Sequence, residues 1–264
     1  MRNRNLIRIK NLCSGGLLNS NFSHDERQTL KQFRDHHHNA RAFIIGTGPS
    51  LSVDDLNKLK NEITFACNKI YLSFNDTDWR PTYYSVIDRL VAENNHEAIA
   101  QLPFFKIFSS VVKPYFENAS DIIWLNDLRS PTINGARQFV FSKNAHKGTY
   151  GGFTVIYTQL QLAYYMGIRE VYLLGIDFDF KESSATGAKT SAGESILKNN
   201  GEPNHFHSKY RAQGELWTKP RLDYHYQAFS AAKNAFEAAN KRIYNASRKT
   251  KLDLFQRVDL DTIL

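Results

Sequence analysis

Short apolar runs separated by polar turns recur along the chain from Arg41 onward. They are AFIIG (42–46), EITFAC (62–67), TYYSVI (82–87), FFKIFS (104–109), DIIWL (121–125), EVYLLGID (170–177) and KRIYNAS (241–247). Each is rich in β-branched or aromatic residues and nearly continuous in apolar character, the pattern of strands buried on both faces. Segments of helical length and spacing lie between them: LSVDDLNKLK (51–60), 89–101, 151–166 and YHYQAFSAAKNAFEAAN (224–240). Strands alternating with helices predict an α/β fold, with one doubly wound, mostly parallel sheet spanning about 41–247 and KRIYNAS as its final strand.

Two stretches fall outside this pattern. Residues 180–220 are long, polar and rich in Gly, Ser, Lys and Asn. Inside a compact domain such a stretch is expected to be a functional lid or a disordered insertion. Residues 1–40 read as a basic N-terminal arm carrying a short helix. Arg2, Arg4, Arg8 and Lys10 alternate with apolar residues there, and the polar segment DERQTLKQFRDHHHNA follows. The consecutive histidines His36, His37 and His38 point in different directions, which disfavours a built metal site.

Composition narrows the class. Of 264 residues, 42% are hydrophobic and 23% charged, which excludes disorder or a coiled coil as the main theme. Two cysteines, Cys13 and Cys67, are too few for a disulfide scaffold and fit a reducing, cytoplasmic setting. No apolar run reaches the roughly 18 residues of a spanning helix, and the N-terminus lacks the apolar core of a signal peptide. The net charge is +8, with +5 in residues 1–41, +3 in 241–264 and none between. A neutral sheet domain argues against nucleic acid as partner. Basic ends suit peripheral contact with an anionic inner membrane, where each such residue contributes about 1 kcal/mol.

Ligands of open α/β sheets bind beyond the carboxyl ends of the strands, so those positions hold the candidate chemistry. After the first run comes Gly46-Thr47-Gly48-Pro49-Ser50. Its glycines would let backbone approach a phosphate at a helix start, or Ser50 would simply be an N-cap. Asn68 follows the second run and Asp88 the third. Lys147-Gly148-Thr149-Tyr150-Gly151-Gly152 is a second glycine-rich approach to a helix. Asp177 and Asp179 lie two apart after the EVYLLG run, as carboxylates sharing a divalent cation would. Asn204-His205-Phe206-His207-Ser208-Lys209 holds two histidines suited to metal binding or general-base work. Neither cysteine has a spacing partner for zinc.

Taken in order, AFIIGTGPSL, FACNKIYL, YYSVIDRL, GGFTVIYTQLQLAYYMGIREVYLLGIDFDF and NHFHSKY resemble the MptE-like family, named for an archaeal 6-hydroxymethylpterin diphosphokinase. The same order is similar to the bacterial sialyltransferases typified by the Campylobacter lipooligosaccharide enzymes. The resemblance covers roughly 41–247. It implies a single Rossmann-like, GT-A-like catalytic domain (41–264) with a polar lid at about 180–220. It also implies a nucleotide loop at Gly46–Ser50 and nucleotide-contacting strand ends at Asn68 and Asp88. Gly151 and Gly152 would open the helix beside the nucleotide, Asp177 would be the Gly-Ile-Asp acid, and His207 the general base. Asp179, His205 and Lys209 would then belong to the substrate and lid region. Asp179 stands where the sialyltransferases place a tyrosine, and Thr149 where they place an arginine. This points to a metal-bridged phosphate, with Mg held by Asp177 and Asp179, or to a different donor.

The expected activity is transfer of a sugar, sialic-acid-like, from a CMP-linked donor to a glycan or lipid-linked acceptor in cell-surface polysaccharide biosynthesis. The alternatives are pyrophosphate transfer from ATP to a pterin alcohol and a nucleotide-binding module without catalysis.

Overall fold

In the computed structural model, which describes residues 22–264 apart from Asn118 and Ala192, the apolar runs become the strands of one sheet. Helix α1 (His24–Lys31) leads into β1 (Arg41–Ile45), α2 (Val53–Lys58), β2 (Thr64–Cys67), β3 (Tyr83–Ser85), α3 (Arg89–Ala100), β4 (Phe105–Ser109) and β5 (Ile122–Leu125). Two short ladders follow, β6 (Asp127–Leu128) beside β9 (Thr149–Tyr150) and β7 (Thr132–Ile133) beside β8 (Ala136–Arg137). Then come α4 (Val155–Tyr165), β10 (Glu170–Leu174), β11 (Ser184–Lys189), β12 (Ser195–Lys198) and β13 (Leu216–Thr218). The chain closes with α5 (Leu222–Glu237), β14 (Arg242–Asn245), β15 (Gln256–Arg257) and α6 (Leu260–Ile263).

Eight strands, all parallel, pair in the order β15-β14-β10-β1-β2-β3-β4-β5. Alternate residues of β1 serve the two layers. Ala42 and Ile44 pack with α4 and α5 through Leu160, Phe229 and Phe236, and Phe43 and Ile45 pack with α2 and α3 through Leu56, Ala92 and Ile99. Both faces are covered, which is why the inner positions of these strands are mostly apolar. Helix α4 is buried nearly all round, and its two glutamines bond to backbone. Gln159 Nε2 donates to the Ala66 carbonyl (2.7 Å), and Gln161 Oε1 accepts from the Ser142 and Tyr150 N–H groups (3.0 Å each).

Strand order reverses at β1. The chain steps outward through β2, β3, β4 and β5, then returns to add β10, β14 and β15 on the other side of β1. A crevice therefore opens beyond the carboxyl ends of β1 and β10, where neighbouring connections run to opposite faces.

Three expectations change. First, residues 22–40 are not a solvated arm: Leu30 is fully buried, and the turn after α1 is tied to the end of α4. Asp35, His37 and Asn39 donate their N–H groups to the carbonyls of Tyr165, Met166 and Gly167 (2.8–3.1 Å). The basic Arg2, Arg4, Arg8 and Lys10, and Cys13, lie outside the described residues. Second, residues 180–220 contain a three-stranded antiparallel sheet, β11-β12-β13, held by buried Ile196, Leu197 and Trp217. Third, β14 is not the last strand. The chain past Ser247 stays in the fold through β15, Leu252, Phe255 and Leu260, all three side chains buried. Arg248 there pairs with Asp55 (2.7 Å) and Asp261 (2.6 Å), and Lys251 with Asp179 (3.0 Å), so part of the C-terminal positive charge is balanced internally. Among the described residues no helix is long and apolar enough to cross a membrane.

Leu30 separates a docked segment from a dangling one. Leu30→Ala is expected to lower unfolding free energy in urea by about 2–5 kcal/mol, the usual cost of a buried leucine. A change within 0.5 kcal/mol would place α1 outside the core.

Candidate functional site

The switch-point crevice is a cavity of about 300 Å³. Its floor is two loops pressed together. Gly46 N–H donates to the Leu174 carbonyl (2.8 Å), and Gly48 N–H to the Gly175 carbonyl (2.9 Å). A Cβ at Gly46 would lie 2.4 Å from Ile176 Cδ1, and one at Gly48 would lie 2.8 Å from Asp177 Cγ. The glycines are therefore required for one loop to meet the other. Asp177 locks the pair. Its Oδ2 accepts from the Ser50 N–H (2.8 Å) and its Oδ1 from the Ser50 hydroxyl. Burial raises the Asp177 pKa, and the Ser50 hydrogen bonds pull it back down. Ser50 does not cap α2. Ser52 does, accepting from the Asp55 N–H (3.1 Å).

The segment 204–210 closes against the same loop across a sequence distance of 158 residues. Phe206 N–H donates to the Thr47 carbonyl (3.0 Å), and Thr47 Oγ1 donates to the Tyr210 hydroxyl (3.1 Å). His205 Nδ1 sits 3.2 Å from the Thr47 carbonyl and 3.3 Å from its hydroxyl, and its ring stacks on Tyr210 at 3.7 Å. Burial, aided by the cationic Arg211 and Lys69, holds the His205 pKa well below the usual imidazole value, so the ring is neutral. Thr47 offers Nδ1 a carbonyl, which places the proton there and leaves Nε2 as an acceptor.

The cavity brings together Gly46, Thr47, Gly48, Pro49, Asn68, Asp88, Asp177, Asp179 and His205. Ser50, Gly151, Gly152, His207 and Lys209 do not line it. Gly152 serves packing, since a Cβ there would lie 2.5 Å from Tyr157 Cδ1, while Gly151 faces open space. Helix α4 begins only at Val155 with Thr154 as its cap, so Phe153–Ile156 reach the cavity instead. His207 sits edge-on to Phe206, with Nδ1 accepting from the Lys209 N–H (3.1 Å).

Asp177 and Asp179 both line the cavity but take different protein partners. Strand β10 ends at Leu174 and Phe178 is left-handed (φ +56°), so the period-two alternation of a strand no longer applies. Asp177 turns to Ser50, and Asp179 to Lys251 (3.0 Å). Each carboxylate is engaged by a side chain of its own, and among the described residues no group of three His, Cys, Asp or Glu side chains is placed to hold a metal.

Several lining residues carried no sequence signal of their own. Glu194, on the turn between β11 and β12, has its pKa raised to about 7 by burial and by the negative charge of Asp88. Arg211 stacks on Trp217 with its guanidinium carbon 3.8 Å from the ring. Three of the nine buried polar side-chain atoms without partners among the described residues belong to lining residues, namely Asn68 Oδ1, His205 Nε2 and Trp217 Nε1. Asn68 (φ +50°), Phe153 (φ +61°) and Phe178 also hold left-handed backbone around the cavity. Such conformations concentrate at ligand clamps. A wider groove lies at the opposite, amino-terminal ends of β3, β4 and β5, lined by Phe104, Phe105 and Trp124, and it holds none of these features.

Residues 17–183 match the family described as 6-hydroxymethylpterin diphosphokinase MptE-like. The chain belongs to the MptE-like family. No curated protein matches it. The solved structure of a MAf glycosyltransferase from Magnetospirillum magneticum AMB-1 is similar, at 14% identity and a TM-score of 0.52. The match covers 98% of this chain and 42% of that one, so the chain spans about two fifths of that protein's length. At such identity the likeness is one of fold: an MptE-like chain and this MAf protein share the α/β architecture.

If the loop contact builds the MptE-like cavity, Gly48→Ala must separate the loops. The expected cost is about 1–3 kcal/mol in chemical denaturation, as for other overpacked sites. Unchanged stability would mean that the loops part freely.

Proposed function

We propose that the protein is a glycosyltransferase that moves a sugar from a nucleotide-activated donor to a hydroxyl of a glycan or lipid-linked acceptor. The observation that carries this reading is the switch-point cavity with the unpartnered buried polar atoms of Asn68, His205 and Trp217. An unpaired buried polar group costs about 1–3 kcal/mol, and a polar ligand supplying donors and acceptors offsets it. The glycosyltransferase named among its structural neighbours supports the same direction. A CMP-linked acidic sugar is the donor class we favour.

In the reaction the acceptor oxygen bonds to the anomeric carbon, the bond from that carbon to the phosphate oxygen breaks, and the nucleotide leaves with the bonding pair. The acceptor hydroxyl then has a proton to lose. Glu194 lines the cavity with a carboxyl whose pKa is raised to about 7, which matches a base working near neutrality. His207, the base that the family resemblance implies, stands off the cavity. Glu194 is therefore assigned the proton. His205, neutral and fixed by Thr47, serves as a hydrogen-bonding wall.

The diphosphokinase activity in the family's description would call on Asp177 and Asp179 to share a cation, and each is held elsewhere.

Two measurements test the reading. In a thermal-shift comparison of CMP, CDP, UDP, GDP and ATP, with and without Mg²⁺, a cytidine nucleotide should raise Tm most. Ligand at a hundred times its Kd adds about 2.7 kcal/mol. A shift by ATP alone, and only with Mg²⁺, would favour pyrophosphate transfer. For the base, the ionised carboxylate is the active form, so kcat/KM should climb with pH through about 7 and level off above. Glu194→Gln should remove that limb and lower kcat by about 10²–10⁴. A limb that survives in Glu194→Gln and vanishes in His207→Ala would assign the proton to His207.

A further inference from the structure

Arg211 is a cation built into the cavity wall without a counter-ion. Its guanidinium lies over the Trp217 ring at 3.8 Å and beside Tyr210 at 5.8 Å. Stacking of this kind engages the flat face and leaves the in-plane N–H groups free to donate. Its backbone is fixed as well, because Asn199 Nδ2 donates to the carbonyls of Arg211 (3.3 Å) and Ala212 (3.0 Å).

The carboxylates whose charge reaches Arg211 are committed elsewhere. Glu215 accepts from Lys69 Nζ (2.9 Å), Asp88 caps α3 by accepting from the Val91 N–H (3.0 Å), and Glu202 accepts from the Ser183 hydroxyl (2.7 Å). No carboxylate among the described residues forms an ion pair with Arg211. The contrast with Lys69 is instructive. Both cations line the cavity, and only Lys69 is neutralised by the protein. Beside Arg211, the Trp217 N–H is buried and has no acceptor. Donors without acceptors, one of them charged, define a place for an anion.

We infer that Arg211 and Trp217 form an anion-binding point in the cavity, taking the oxygens of a phosphate or a carboxylate on the donor. The inference rests on the nucleotide-sugar reading for the identity of the ligand, while the anion point itself can be titrated alone. It names the acidic part of the donor as the group recognised and places it under the 204–218 segment. An uncharged nucleoside or neutral sugar would leave the Arg211 charge without a counter-ion.

Isothermal titration of wild type, Arg211→Gln and Trp217→Phe with cytidine, CMP, inorganic pyrophosphate and N-acetylneuraminate tests this. Wild type should bind CMP at least tenfold more tightly than cytidine. Arg211→Gln should weaken CMP and pyrophosphate roughly 10- to 100-fold while leaving cytidine unchanged. Trp217→Phe keeps the aromatic floor and should give a smaller loss. If N-acetylneuraminate weakens in place of CMP, the anion is the sugar carboxylate, and the anion point stands. Affinities in Arg211→Gln within twofold of wild type for all four ligands would overturn it. If wild type binds neither cytidine nor CMP, the nucleotide reading fails by itself. Pyrophosphate and N-acetylneuraminate then decide: binding that Arg211→Gln weakens supports the anion point, and no binding of either to wild type overturns it. Should Arg211→Gln fail to fold, Arg211→Lys keeps the charge without the fork and should cost about tenfold; an unchanged affinity in that variant would overturn the anion point.

Discussion

Gly46 and Gly48 carry no Cβ, and for that reason the loop after β1 meets the loop after β10 backbone to backbone. The rest of the site follows from that contact. With the Gly48 N–H on the Gly175 carbonyl, Asp177 reaches Ser50 and clamps both loops at the point where strand order reverses. The carbonyl and hydroxyl of Thr47 then gather Phe206, His205 and Tyr210 from the connection between β12 and β13. The C-terminal segment braces the same floor from behind: Thr250 Oγ1 donates to the Ile176 carbonyl (2.7 Å), and the Lys251 N–H to that of Asp177 (2.8 Å).

Because the loop groups of the floor are spent on one another, the polar capacity of the cavity comes from its walls. Asn68, His205 and Trp217 keep buried atoms unpaired, Arg211 keeps its charge unpaired, and Glu194 keeps its proton to a higher pH than an exposed carboxyl would. A rigid floor with unmet hydrogen-bonding demand in the walls is the preorganisation that the proposed anionic donor calls for. The inserted sheet supplies Glu194 and Trp217, and the connection from β12 to β13 supplies His205 and Arg211.

The sheet was legible because strands buried on both faces carry long apolar runs that no turn imitates. Seven runs became seven of the eight strands; β15, two residues long and exposed, has no such run. The inserted strands were hidden for the opposite reason: β11 is exposed throughout and reads as polar loop. Leu30 is the one apolar residue of α1, and its burial reveals that the helix belongs to the core. At the site, Thr47, Asn68, Asp88 and Asp177, chosen by strand-end position, line one cavity. The packing of Gly48 against Asp177 and of Gly152 against Tyr157 has no signature in the sequence, since a glycine needed for a close contact reads the same as one in a ligand cradle. His205 and His207 are equally plausible by spacing, and only the contact with Thr47, 158 residues away, separates them.

Hydrogen–deuterium exchange with and without CMP tests most directly whether the switch-point cavity is the ligand site. A nucleotide seated there predicts slower exchange in 175–180 and 204–218, with no change at the amino-terminal ends of β3, β4 and β5. Protection confined to 103–105 and 120–124, or none in either region under saturating CMP, would contradict it.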